Sequence, residues 1–347
     1  MASFPKIILI GSLCIFTGIG VLSVLKKRSH PINESTLNQD ANPIVVKTSE
    51  DFEKKTLQTH REFCGSGNEK QENRQLIINT DEEESTDRIP QFFSLGINQL
   101  PIVETIAYNS RVSWLQGRPA WIADYAQHYK TSKHFIARSL NKKADYLTQK
   151  VATGDRFNVL RQNINFNFYL LIDLSRCRMW FYYLDLDTNQ RVLLKSYKVG
   201  AGRLSDFSDS GTLTPLGRFT LGSKVAIYKP GDQGLFQKET VEMVRIFGTR
   251  WIPLEPIEET SSQAYHGYGL HGAPWEGDPA TIENSECIGI YGSDGCIRLS
   301  QEDIEELFAI VISRPTIVEI VRDKALVELP GSENPNHSLE FTDNAKP

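Results

Sequence analysis

The sequence predicts a β-rich α+β fold for its C-terminal half, on three observations. From residue 167 onward, short apolar runs rich in β-branched and aromatic residues follow one another. Turns built on Asn189, Gly200–Gly202 and Thr214-Pro-Leu-Gly217 separate them. One late helix opens on Ser300-Gln-Glu-Asp303, a capping-box arrangement. Residues 168–174, 178–184, 192–199, 219–224 and 242–247 are the predicted strands. The helix is expected over 301–312, ended by Arg314-Pro315, with a closing strand over 316–322.

The rest of the 347 residues divides by composition. Residues 7–25 form an uncharged apolar run long enough to cross a bilayer, with Lys6 before it and Lys26, Lys27 and Arg28 after it. Residues 1–29 are therefore expected to be a transmembrane anchor. Residues 30–88 are polar, poor in aromatics and carry the acidic run Asp81–Glu84; such a stretch buries too little apolar surface to offset its ordering entropy and reads as a disordered linker. Residues 324–347, with Pro330, Gly331 and Pro335, read as a disordered tail. The net charge of −5 gives no reason to expect a nucleic-acid partner. The five cysteines, at 14, 64, 177, 287 and 296, form no CxxC pair, so neither a metal site nor a cofactor is expected.

Residues 89–165 are expected to be a small, mainly helical unit. Trp121, Ile122, Tyr125, Ala126 and Tyr129, then Phe135, Ile136 and Leu140, fall at helical spacing around a polar break at Thr131–Lys133. A turn at Val151-Ala-Thr-Gly-Asp155 and a short extended piece follow. The order helix, break, helix, turn, strand resembles the second half of a LysM module, a family that binds the sugar strands of cell wall. The strand that opens such modules is not evident before Trp121, and a plain helical spacer is the other reading.

Two segments carry the chemistry. Tyr268-Gly-Leu-His-Gly272 places a histidine at the end of a short apolar run, and Gly292-Ser-Asp-Gly-Cys-Ile-Arg298 places a cysteine directly after a glycine. A thiol beside an imidazole is an activated acyl-transfer nucleophile: the ring takes the proton and the imidazolium stabilises the thiolate. On residue type alone, a buried cysteine and a satisfied histidine are the more common outcome.

The wider pattern is specific. Ser293-Asp-Gly-Cys-Ile-Arg-Leu299 resembles the Ser-x-Gly-Cys-Ile/Val-Arg signature of the L,D-transpeptidase (YkuD-type) catalytic domain. His271-Gly272 matches its upstream His-Gly, and Cys287-Ile-Gly289 falls where that family has Ser-Ile-Gly. Val199-Gly-Ala-Gly202 with Thr214-Pro-Leu-Gly-Arg-Phe219 resembles its strand-and-turn pair, and Asp303-Ile-Glu-Glu-Leu307 its final helix. The resemblance implies a sandwich- or barrel-like catalytic domain over 166–323 that acts on peptidoglycan stem peptides. It implies Cys296 as nucleophile, His271 as base and Gly272 as the group whose carbonyl orients the ring. Gly295 and Ser293 are expected around the oxyanion and substrate. Arg298 is expected either to hold a substrate carboxylate or to form a buried structural pair. Asp294 departs from the histidine found there in many members. The His271–Cys296 gap is long, and its extra residues bring Trp275 beside the base, as part of a lid or of a loop packed on the rim. Cys287 lies near enough in sequence to raise a disulfide with Cys296.

The implied setting is the bacterial cell envelope, with a membrane-anchored chain and the domain on the extracytoplasmic side; the positive-inside tendency of Lys26–Arg28 points the other way. Glycan strands are a further expected partner through residues 89–165. A wall-binding protein with an inert domain is the alternative from another class.

Overall fold

The computed structural model describes residues 86–141, 150–257 and 267–333. The expected anchor, and all of the expected linker but its last three residues, lie outside the described residues. Among the described residues no helix is long and apolar enough to cross a membrane.

The first part runs α1 (Ile89–Phe93), β1 (Val103–Ala107), α2 (Ile122–His128), α3 (Lys133–Asn141) and β2 (Arg156–Leu160). The two helices fall where the 3.6-residue spacing put them. The strand β1 was not expected: its Val103-Glu-Thr-Ile-Ala107 carries only a weak alternation, and it forms because β2 pairs with it antiparallel, Val103 opposite Leu160. The unit is therefore strand-helix-helix-strand rather than mainly helical. Nor is it a separate body. The Phe92 ring sits 5.8 Å from Phe135 and 6.2 Å from Phe168, one apolar core running through both parts. Asn158, fully buried, fixes α1 by donating to the carbonyls of Phe92 (2.8 Å) and Ser94 (2.7 Å). A buried amide left unpaired would cost about 1–3 kcal/mol, so these bonds define where α1 ends.

The second part begins with β3 (Phe166–Asp173), β4 (Arg178–Asp185), β5 (Gln190–Lys198), β6 (Ala201–Gly202), β7 (Gly217–Leu221) and β8 (Ala226–Ile227). After these come β9 (Gln233–Phe236), β10 (Glu239–Glu242), the single turn α4 (Val244–Phe247) and β11 (Arg250–Pro256). It continues through β12 (Gly269–Gly272), β13 (Trp275–Glu276), β14 (Ile282–Glu283), β15 (Tyr291–Ser293) and β16 (Ile297–Leu299). The helix α5 (Gln301–Val311), β17 (Thr316–Val321) and β18 (Ser332–Glu333) complete it. The main sheet is mixed, in the order β16-β12-β11-β7-β17-β3-β4-β5-β18, with β8 also on β11. Its interior holds Phe168, Leu170, Ile172, Phe181 and Tyr183, and α5 packs against it with Ile304, Leu307 and Phe308. Ser300 caps α5, accepting from the Asp303 amide.

Three expectations are corrected here. Residues 244–247 form a helical turn, because Val244 and Phe247 are buried one turn apart. The strand β11 was missed, since Arg250, Pro253, Glu255 and Pro256 interrupt its apolar run. Pro253 sits where the β7–β11 ladder ends, its carbonyl accepting from the Gly222 amide just beyond β7. Residues 324–333 of the expected tail are ordered: Lys324 donates its amide to Asp173 (2.9 Å) and β18 pairs with β5. That segment lays Val327 and Leu329 over Tyr169, Trp180 and Tyr182 on the outer sheet face.

Candidate active site

The strands β12 and β16 lie side by side and parallel, with Leu270 opposite Ile297, His271 opposite Arg298 and Gly272 opposite Leu299. Leu270, Ile297 and Leu299 enter the core, so the two-residue period sends His271 and Arg298 to the other face. Cys296 directly precedes β16, two residues before Arg298. One strand across and two residues along is about 8 Å between Cα atoms, a diagonal that an imidazole spans. Two segments 25 positions apart in the chain are thus brought to one place by sheet register.

His271 is almost fully buried (3% exposed). Its ring stands edge-on to Phe247 at 5.4 Å and lies 6.0 Å from Trp251. The turn α4 exists to deliver Phe247, which also meets Tyr228 and Phe236. Nδ1 lies 2.8 Å from the Gly272 carbonyl oxygen. A carbonyl only accepts, so Nδ1 carries the hydrogen, and in the neutral ring the lone pair is on Nε2. This is the tautomer a base requires.

The Cys296 side chain is partly exposed, and it forms no disulfide with Cys177 or Cys287. Cys287 is buried and its sulfur donates to the Asn284 carbonyl, 2.8 Å away. Burial of the sulfur pushes the Cys296 thiol up to about 11; the Gly269 amide and Arg298 pull it down, and Asp294 pushes it further up. The charged form is scarce below that value and grows as pH rises toward it. Alkylation of Cys296 by iodoacetamide is expected to climb about tenfold per pH unit from pH 7 to 9. A rate already flat at pH 7, followed by mass spectrometry, would contradict a protonated resting thiol.

The nucleophile turn is held from below. The Ser293 hydroxyl accepts from the Gly295 amide (3.1 Å) and donates to the Cys296 carbonyl (2.6 Å). Ser293 is buried and its hydroxyl is engaged within the turn. The Gly295 N–H is thus engaged by that hydroxyl. Arg203 donates its amide to the Ser293 carbonyl and its guanidinium to Asp294 at 2.5 Å. Sequence reading passed over Arg203, whose partner is the residue that departs from the family pattern.

Arg298 is buried, with Nη1 3.3 Å from the Gly292 carbonyl and Nε without a partner. Among the described residues no carboxylate pairs with it, so the buried structural pair is not formed there. The long segment after Gly272 is a β13–β14 hairpin. Its Glu276 accepts from Asn284 (2.5 Å), and Glu283 accepts from the Gln301 amide at the start of α5 (2.5 Å). These bonds fasten the hairpin that carries Trp275, which is half-buried with its Nε1 unpartnered. Among the described residues no three His, Cys, Asp or Glu side chains gather as metal ligands.

Residues 167–320 match the family model of the YkuD L,D-transpeptidase catalytic domain. No curated protein matches the sequence. Among solved structures, the helical cell shape determining protein Pgp2 from Campylobacter jejuni is 16% identical, with a TM-score of 0.32, over 48% of this chain and 51% of that one. A point mutant of Pgp2 gives 16% identity and a TM-score of 0.31 over 48% and 50%. L,D-transpeptidase 1 of Mycobacterium tuberculosis gives 14% identity and a TM-score of 0.23 over 48% and 70%. The chain thus spans about half the length of the first two. The segment that matches the L,D-transpeptidase, YkuD, family model, residues 167–320, is the one that contains both His271 and Cys296.

Proposed function

We propose that the protein is a peptidoglycan L,D-transpeptidase in which Cys296 is the nucleophile and His271 its base. The observation that supports this reading is the β12–β16 register, which lays the strand of His271 beside the strand that follows Cys296, with the histidine in the base-competent tautomer. Nε2 takes the thiol proton as Sγ attacks the carbonyl between the third, diamino-acid residue of a stem tetrapeptide and its terminal D-Ala. The C–N bond breaks and D-Ala leaves with the proton from His271. A thioester remains. An amine of a second stem peptide then attacks it, loses its proton to His271 and forms a 3-3 cross-link. Water in place of the amine makes the same site an L,D-carboxypeptidase.

Arg298, buried without a carboxylate among the described residues, is suited to take one from the donor peptide. The strand-helix-helix-strand unit from β1 to β2 supports the LysM resemblance, and with it a hold on glycan strands. Residues 1–29 would anchor the chain in the envelope with this domain facing the wall.

Incubation of the protein with defined tetrapeptide muropeptides tests the reading. Free D-Ala and a dimer lighter by one D-Ala than two tetrapeptides are expected by mass; tripeptide alone identifies the hydrolytic variant. Folded protein that releases no D-Ala and takes no carbapenem adduct on Cys296 defeats both.

A further inference from the structure

The Gly295 carbonyl accepts a hydrogen bond from the Thr214 hydroxyl at 2.9 Å, across 81 positions of sequence. The same hydroxyl accepts from the Gly202 amide at 2.8 Å. A threonine hydroxyl has one proton, so with Gly202 donating to it, that proton is committed to Gly295. Thr214 is fully buried. Its effect falls on one peptide group. The peptide between Gly295 and Cys296 is planar and trans, so fixing the Gly295 C=O also fixes the Cys296 N–H, pointing the opposite way. The next peptide is fixed in turn, since the Cys296 carbonyl accepts from Ser293.

Acyl transfer through Cys296 needs a donor for the oxygen that becomes an oxyanion, and two amides flank the sulfur. That of Gly295 is held by Ser293. The amide of Cys296 has no hydrogen-bond partner among the described residues. We propose that Thr214 is a positioning residue of the oxyanion hole: it turns the Gly295–Cys296 peptide so that the Cys296 N–H faces the reacting carbonyl. This rests on the acyl-transfer reading above.

The test compares two reactions of the same sulfur. Acylation by a carbapenem passes through a tetrahedral oxyanion; alkylation by iodoacetamide does not. In Thr214→Val, acylation is expected to fall about ten- to a hundredfold, somewhat less than deletion of an oxyanion donor costs, with alkylation within about twofold of wild type. Thr214→Ser keeps both hydrogen bonds and is expected to restore acylation. Equal acylation in Val and wild type, an equal fall of both reactions, or a Ser variant as slow as Val would overturn the proposal. Amide NMR of the unaltered protein needs no variant to fold: the Cys296 N–H is expected to shift and gain exchange protection on acylation, and the Gly295 N–H to stay put. The reverse pattern overturns the assignment. If wild type is not acylated at all, the acyl-transfer reading itself fails; if it is acylated and only the Thr214 comparisons fail, that reading stands without the positioning role.

Discussion

Cys296→Ala is expected to lose all D-Ala release and all thioester or carbapenem adduct, while melting close to wild type. The side chain is small and partly exposed, so its truncation leaves no sealed cavity, and the change in stability should stay within about 1 kcal/mol. What disappears is the one cysteine among the described residues that is partly exposed: Cys177 and Cys287 are packed away and Cys287 is already hydrogen-bonded. His271→Gln should behave differently, keeping a thiol that still alkylates at high pH. Without a base to take the proton in the attack, acylation near neutral pH should fall about a hundred- to ten-thousandfold. Intact-mass measurement of the carbapenem adduct, beside a melting curve, reads both variants. A Cys296→Ala protein that still releases D-Ala would remove the thiol from the reaction.

Much of this arrangement was legible before folding, for identifiable reasons. The strands β3 and β4 announce themselves because both of their faces are buried, leaving near-continuous apolar runs such as Phe168–Ile172. The helix α5 is announced by the side chain of Ser300. By contrast, β11 hides behind two prolines, and residues 244–247 look extended until Val244 and Phe247 are seen buried one turn apart. At the site, His271 and Cys296 stand out through flanking glycines and the family pattern, whereas the bonds that fix them do not. Thr214 reads as part of a turn; its bond to Gly295 is a property of tertiary packing. The engagement of the Gly295 amide is local, yet the same Ser-x-Gly spacing would also fit a serine facing outward. Residue type alone does not choose between them.

Gly295→Ala is expected to be the most damaging change that leaves every reactive atom in place. Gly295 has φ +118°, a backbone region closed to side-chain-bearing residues, and a Cβ there would run into the Tyr268 ring and the Leu213 carbonyl. The backbone strain alone is worth about 1–3 kcal/mol. The collision adds a displacement, because neither the ring nor the carbonyl has a flexible end to yield, and the residue that moves most easily is the one bearing the thiol. A shift of about 1 Å at a nucleophile costs on the order of a hundredfold in rate, so acylation of Cys296 should fall at least that far. Gly154→Ala separates the two contributions: it has a similar φ of +96° but nothing within 4 Å of its Cβ position. That variant should show the melting loss from strain with no loss of acylation. If Gly295→Ala acylates as fast as Gly154→Ala, the turn tolerates a side chain beneath the nucleophile, and the tight packing of Gly295 against Tyr268 and Leu213 has no part in holding the sulfur.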